Sequence, residues 1–463
     1  MELNNKRVLV VGLGRSGVAS ALFLKSRGAR VTVSDAKSEE QLREQIPTLL
    51  DAGIAVETGA HGERTFRNQD LIVVSPGVPI DAQPIVQARA LGQPVIGEIE
   101  LASQFLPGPI VAITGSNGKT TTTTLIGEIL VASGLKTLVG GNIGTAAISL
   151  AEQATPETAI VLEVSSFQLE TIRSFRPKVA VVLNVTPDHL DRHRTFVAYV
   201  DAKARIFENQ QSDDFSVLNA DDPTCVELAG RTRAHVFWFS RKSEVESGAY
   251  VREGQVTLRR NGSEQTILST SEIPLKGSHN LENVLAAVCA SALMGCPSEK
   301  IRSAIVNFKA VEHRLEYVAT IRGVEYYNDS KATNVDATIK ALESFPANIH
   351  LILGGKDKGS DYTELNDLLR QRVKSVYTIG AAAEKIRSQI KGTTEIISSD
   401  TIESAVKQAS AAAQAGDIVL LAPACASFDQ FHNYEHRGRV FKELVHQLAT
   451  ASNKTASAQE PRK

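Results

Sequence analysis

Short apolar runs alternate with helix-period stretches along most of this chain. Three times a β-branched run with no polar interruption ends in a glycine turn and passes into an amphipathic stretch. These are KRVLVVGLGRSGVASALFLKSR at residues 6–27, PIVAITGSNGKTTTTTLIGEILVAS at 109–133 and IHLILGGKDKGSDYTELNDLLRQ at 349–371. A short unalternating run predicts a parallel strand covered on both faces, because a strand with one face in water would alternate. Strands separated by helical periods predict βαβ units. The expected fold class is α/β, with three consecutive α/β domains.

Punctuation between the runs sets the expected boundaries. Leu106-Pro107-Gly108-Pro109 precedes the second opening and predicts a hinge near residues 97–109, and a softer break falls around Phe308 to His313. The domains read as 1–97, 98–310 and 311–449. Residues 450–463 are polar and aperiodic, which predicts a disordered tail. Residues 240–275 alternate like short antiparallel strands (AYVREGQVTLRRNG) and predict an inserted hairpin sheet.

Composition narrows the function classes. A chain of 463 residues is too long for one core, and 42% hydrophobic with 22% charged residues is the balance of a globular protein. A formal charge of −2 with no basic run gives no electrostatic footprint for nucleic acid or a membrane surface. No apolar stretch reaches the ~18 residues of a membrane span, and the N-terminus lacks the signal-peptide pattern. Cys225, Cys289, Cys296 and Cys425 form no C-x-x-C pair. A soluble, cytoplasmic protein is expected.

The strongest chemical signal is the second opening. Gly115-Ser116-Asn117-Gly118-Lys119-Thr120 ends a strand and starts a helix, where backbone N–H groups and the helix dipole can hold phosphates. Lys119 would reach the β/γ-phosphates and the Thr120 hydroxyl would bind Mg²⁺, which makes the central domain a P-loop-type ATPase domain. The usual pattern wants glycine five residues before Gly118, and Ile113 stands there. The first opening, Gly12-x-Gly14-x-x-Gly17 with Asp35 closing the next strand, has the context of a dinucleotide-binding turn, but it indicates a nucleotide or phosphate without saying which. Glu163, in IVLEVSSFQLE, and Asp188 with His189, in VAVVLNVTPDHLDRH, follow apolar strands and so point into a ligand crevice. Lys203 reads from spacing as a solvated lysine on a helix. In the last domain, Asp329, Lys331 and Thr333, then Lys358, then Ser427 and Tyr434 cluster directly after strands, as an anionic substrate would require.

Placed in order, TGSNGKTT, GGNIG at residues 140–144, LEVSSFQLE, NVTPDHLDRH, the HNLENVLAA stretch from His279 and HRLE at 313–316 make the chain resemble the Mur ligase family. The likeness runs to about residue 448, and Ile113 is the family's own variant of the phosphate loop. NDSKATN and PACASFDQF are similar to the family member that adds D-glutamate; the Asp-x-x-His-x-Pro and Asp-Asn-Pro-Arg segments of other members are missing. The resemblance implies Rossmann-like first and third domains around the central one. It also implies addition of D-glutamate to UDP-N-acetylmuramoyl-L-alanine, through an acyl phosphate, in peptidoglycan precursor synthesis by a monomer.

The site residues carry over one by one. Uridine diphosphate would lie near Gly14, Arg15, Ser16, Asp35 and Lys37, with Ser75 and Gly77 closing over it. Asn142 and Gln168 would touch the muramoyl part, with Ser165 in the same substrate-binding set. ATP would take Gly115, Ser116, Asn117, Gly118, Lys119, Thr120 and Thr121, with adenine and ribose near Asn280, Asn283, Arg314 and Asp329. Thr120 and Glu163 would hold one Mg²⁺; His189 and a carbamate formed by CO₂ on Lys203 would hold a second. Lys119, Glu163, His189 and Lys203 form the catalytic set. Lys331, Thr333, Lys358, Ser427 and Tyr434 would position D-glutamate. The family often has a threonine–arginine pair where Ala36-Lys37 stands here, so a point charge replaces a forked one. It tends to have phenylalanine at the position of Tyr434.

Two other readings stand beside this one. Another Mur-type or folylpolyglutamate-type ATP-dependent ligase would respond to a different amino acid, and a non-catalytic nucleotide-binding protein would show no turnover. A nicotinamide oxidoreductase has no use for Lys119.

Overall fold

The computed structural model describes residues 1–309 and 311–457. It divides into two compact units, Met1–Glu272 with Glu282–Asn307, and Ile273–Leu281 with the chain from Phe308. Among the described residues no helix is long and apolar enough to cross a membrane.

The first unit contains two sheets. One is wholly parallel, with β1 (Arg7–Val11), β2 (Arg30–Asp35), β3 (Ala55–Thr58), β4 (Leu71–Val74) and β5 (Val95–Gly97) in the order β3-β2-β1-β4-β5. β1 and β4 are buried over RVLVV and LIVV except at Arg7, which explains why these runs do not alternate. The chain winds one way from β1 to β3 and the other way from β4, so the switch point lies between β1 and β4.

The second sheet has nine strands: β6 (Ile110–Thr114), β7 (Thr137–Gly141), β8 (Ala159–Glu163), β9 (Val179–Val182), β10 (Phe215–Asn219), β11 (His235–Ser240), β12 (Gly248–Arg252), β13 (Gln255–Arg260) and β14 (Ser263–Ser269). Their order is β14-β13-β12-β11-β10-β9-β6-β8-β7. The alternating segment does form antiparallel strands, β12 to β14, but not a separate inserted sheet. β12 pairs in parallel with β11 and so extends the central sheet. An unpaired edge at β11 offers free N–H and C=O groups, and joining it satisfies them.

The expected hinge near residues 97–109 is a packed connection. Residues 98–102 lie in the helix Glu98–Ser103 and are all buried. One apolar core runs from Val8 and Val10 through Ile99, Leu101 and Leu106 to Ile110, Ile148 and Leu162, so the two sheets share an interior.

The second unit has a six-stranded sheet of β15 (Glu316–Ile321), β16 (Val324–Asn328), β17 (Ile349–Gly354), β18 (Val373–Ile379), β19 (Glu395–Asp400) and β20 (Ile418–Leu421). The order is β15-β16-β20-β17-β18-β19, with only β15 antiparallel to its neighbour. Separate apolar clusters cover its two faces. The last helix runs Tyr434–Ser457, past the point where the sequence predicts a disordered tail at 450. Residues 458–463, the rest of that expected tail, lie outside the described residues.

Candidate active site

β6 delivers the chain to the loop 115–118, and the helix Lys119–Ala132 starts from Gly118 in the left-handed conformation, φ +83°. A side chain at Gly118 would meet the Asn283 amide, so glycine is required on two counts. The loop is braced from the end of β9. Asn117 N–H donates to Asn184 Oδ1 (2.8 Å), Ser116 N–H to the Asn184 carbonyl (2.9 Å), and Ser116 Oγ to the Thr186 carbonyl (2.8 Å). Tyr199 OH also reaches Ser116 Oγ at 3.1 Å. Lys119 Nζ folds back onto the carbonyls of Gly115 and Ser116, both at 2.9 Å. These contacts hold the amine over the loop that a phosphate would occupy. Thr121 is buried in the first turn of the helix.

Glu163 ends β8 at 2% exposure. Its two oxygens accept from Thr120 Oγ1 (2.7 Å) and Asn142 Nδ2 (2.9 Å). The Thr120 hydroxyl and the Glu163 carboxylate therefore lie side by side, a pair of hard oxygen donors that suits Mg²⁺. Lys203, on the helix Phe196–Ala204, is only 1% exposed, so the expectation of a solvated lysine is corrected. Its Nζ donates to the Gly115 carbonyl at 2.8 Å, the same oxygen that Lys119 uses, and lies 4.6 Å from the Tyr199 ring centre. Burial, with the Lys119 charge adding to it, holds the Lys203 amine well below the usual lysine range. An amine is a poor Mg²⁺ donor, and a carbamate on it would supply oxygens that fit.

His189 begins the short helix Leu190–His193 in the left-handed conformation, φ +53°, beside the Asp188 carboxylate (3.6 Å) and edge-on to Phe167. The other end of this helix reaches the first sheet's loops. Arg192 Nη2 donates to the Val78 carbonyl and to Glu170, both at 3.1 Å, and Arg194 pairs with Asp81 (2.9 Å). Phe167 packs between His189, His193 and the Arg192 guanidinium. His193 is buried, with its pKa pushed down to about 4 by burial.

At the switch point of the first sheet a cleft of about 500 Å³ is lined by Gly14, Arg15, Ser16, Asp35, Ala36, Lys37, His61, Ser75, Gly77 and Asn142, among others. Seven residues expected to bind the first nucleotide, and Asn142, thus share one cavity. Gly17 allows the helix Arg15–Ser26 to pass against the Gly12 carbonyl, where any side chain would collide. Asp35 organises the turn by accepting from Leu13 N–H (2.7 Å) and Lys37 N–H (2.9 Å). Ser75 Oγ donates to the Gly12 carbonyl (2.8 Å), and Arg15 reaches the Gly144 carbonyl (2.5 Å). Ser165 and Gln168 form a capping box on the helix Ser166–Leu169. Gln168 is buried next to Glu98 and is not among the residues that line the cleft.

In the second unit the loops after three neighbouring strands carry the expected groups. Asp329, Lys331 and Thr333 follow β16, Lys358 follows β17, and Ser427 follows β20. Lys331 Nζ sits 3.8 Å from the centre of the Tyr434 ring, which accounts for an aromatic residue there. Burial pushes the Asp329 carboxyl up to about 7, opposed by the Arg314 charge. Asn280 is buried and donates to the Lys276 carbonyl (2.6 Å). Arg437, which motif reasoning passed over, is wholly buried. It binds the carbonyls of Ser330 (2.8 Å) and Cys425 (3.1 Å), tying the Lys331 loop to the Ser427 loop. Its only sequence signal is the HRG triplet at the start of a helix. Asn184 and Arg192 lie within NVTPDHLDRH, and Tyr199 on the helix Phe196–Ala204, where no motif singles them out.

Comparison with known proteins is consistent along the chain. Residues 6–97 match the Mur ligase MurD-like N-terminal domain, 113–291 the Mur ligase middle domain and 313–425 the Mur ligase glutamate ligase domain. A UDP-N-acetylmuramoylalanine–D-glutamate ligase of Koribacter versatilis is 64% identical over 98% of this chain and 100% of its own length. One of Acidobacterium capsulatum is 59% identical over 96% and 97%. Among solved structures, a pseudomurein peptide ligase type C of Methanothermus fervidus superposes with a TM-score of 0.61 at 21% identity, covering 96% of this chain and 100% of that one. The MurF ligase of Thermotoga maritima gives 0.61 at 18% identity, covering 96% and 99%. At these identities the structural likeness speaks for the fold alone.

Proposed function

This chain belongs to the Mur ligase family, and from that premise we propose that it joins D-glutamate to the alanyl carboxylate of UDP-N-acetylmuramoyl-L-alanine at the expense of ATP. The observation that carries the reading is the cluster at the ends of β6 and β8, where Lys119, the Thr120–Glu163 pair and the buried Lys203 converge on one phosphate loop. Its specificity for D-glutamate rests on the relatives that share more than half of its residues and carry that name.

Condensing a carboxylate with an amine in water is uphill unless the carboxylate gains a leaving group. An alanyl carboxylate oxygen attacks the ATP γ-phosphorus, ADP leaves, and an acyl phosphate results. The D-glutamate amine then attacks the carbonyl carbon, loses a proton, and phosphate departs. Phosphoryl transfer needs positioning and charge stabilisation more than covalent help. Lys119 and the loop N–H groups supply both to the β/γ-phosphates. Mg²⁺, held by Thr120 and Glu163 and by His189 with a modified Lys203, would neutralise phosphate charge. The depressed pKa of Lys203 supports its modification, because only a neutral amine attacks CO₂; the N–C bond forms, a proton leaves, and the charge is inverted. Asp35 and Ser75 shape the UDP cleft, and Lys331, Lys358 and Ser427 are assigned to the carboxylates of D-glutamate.

Phosphate release from ATP with UDP-N-acetylmuramoyl-L-alanine present tests the proposal. D-glutamate alone among amino acids stimulates release. Stimulation by another amino acid would place the chain elsewhere in the family, and no turnover would make it a binding protein.

A further inference from the structure

The cleft at the switch point contains a histidine that no motif predicts. His61 follows β3 and lines the same cavity of about 500 Å³ as Asp35, Ala36 and Lys37. Its Nδ1 lies 2.8 Å from the hydroxyl of Ser34, a wholly buried residue of β2, and its ring meets Phe66 edge-on at 5.7 Å. Two contacts thus orient the ring, and Nδ1 is engaged on the protein side, which leaves Nε2 as the ring's other hydrogen-bonding atom.

The polar inventory of this corner shows why that atom matters. With phosphates on the glycine turn, the nucleoside half of a ligand falls beside the end of β2. Ala36 has no polar side chain there. Both oxygens of Asp35 already accept backbone N–H groups, from Leu13 and Lys37. A nucleoside buries ring edges and hydroxyls whose hydrogen bonds to water must be replaced. We propose that His61 recognises the uracil–ribose half of the UDP-linked substrate through Nε2. Because the Ser34 hydroxyl can either give or accept the proton at Nδ1, Nε2 can serve as donor or acceptor. This inference rests on the reading of the cleft as a UDP site.

The test is binding of UDP and of uridine to the full chain, by calorimetry for the first and by competition against UDP for the second. His61→Leu weakens both by the same factor, about tenfold, as the loss of one buried hydrogen bond implies. His61→Gln, whose amide reaches to about the position of Nε2, recovers part of that loss at an unchanged melting temperature; if His61→Leu fails to fold, His61→Gln against wild type decides through the same ratio. Wild-type affinity in both variants would overturn the inference and leave the UDP site standing. A loss for UDP but not for uridine would assign His61 to the phosphates and overturn it too. A wild-type chain that binds neither ligand would overturn the UDP reading together with the inference.

Discussion

At the scale of the residue, burial decides the chemistry. Glu98 is buried between the first two sheets, and burial pushes its carboxyl up to about 7, only partly offset by the Ile148 N–H at 2.8 Å. Its folded state therefore holds the proton more tightly than the unfolded chain, whose ordinary value is 4.5. Stability from this group is full below that value and is lost as pH rises through about 7. Glu98→Gln keeps a carbonyl for Ile148 and cannot ionise, so its stability relative to wild type should rise between pH 4.5 and pH 8, by roughly 2–3 kcal/mol at most. Denaturant unfolding of both proteins at the two pH values measures this, and a pH-independent difference would refute it. Lys203 is the opposite case, a base that burial keeps ready to lose its proton. Lys203→Ala should be nearly inactive, with small carboxylates such as acetate restoring part of the rate by filling the vacated position. Lys203→Arg should be inactive and beyond rescue, because a permanent cation occupies the same space. Full activity in Lys203→Arg would exclude a carbamate.

At the scale of the element, the one-turn helix Leu190–His193 links the surroundings of the loop 115–118 to the switch-point cleft. His189 opens it on the phosphate-loop side, and Arg192 ties its other end to Val78, in the loop that follows Ser75. Arg192 also faces Glu170, whose carboxyl burial raises and whose charge Arg192 compensates. Arg192→Gln removes the compensating charge and one tie to the cleft proposed for UDP. Losing a charge-assisted hydrogen bond costs about 1.5–3 kcal/mol. The variant should melt at lower temperature and show a higher KM for the UDP substrate, with KM for ATP changed far less. Equal changes in both KM values would mean that the helix does not serve the cleft.

At the scale of the whole molecule, the ligand groups are parcelled out among three sheets. The cleft proposed for UDP belongs to the first, the loop proposed for the ATP phosphates to the second and the Lys331, Lys358 and Ser427 loops to the third. Losses should be correspondingly separable. Lys119→Ala should abolish ATP turnover and leave UDP-substrate binding nearly intact. Ser427→Ala and Lys358→Ala should raise KM for D-glutamate roughly ten- to a hundredfold while KM for ATP moves little. Steady-state kinetics with one substrate varied at a time distinguishes these patterns, and loss of UDP affinity in Lys119→Ala would show that the sites are not separate.

The sequence by itself determined what depends on near neighbours. Unalternating runs become buried parallel strands because both faces are covered, as RVLVV and IVAIT show. Gly118 takes the left-handed φ expected of a glycine turn that starts a helix, and Glu163 and the loops after β16 and β20 stand at the strand ends that the apolar runs predict. Only the tertiary structure decided what depends on residues far along the chain. Lys203 is buried because its partner, the Gly115 carbonyl, lies 88 positions away, and helical spacing carries no trace of that contact. The packed connection at residues 98–102 arises because Leu101 and Ile148 share a core, and no local pattern distinguishes it from a hinge. Gln168 lies buried next to Glu98, and β12 to β14 join a sheet edge, for the same reason. Periodicity records which side of an element is covered; which distant element covers it is settled only when the whole chain packs.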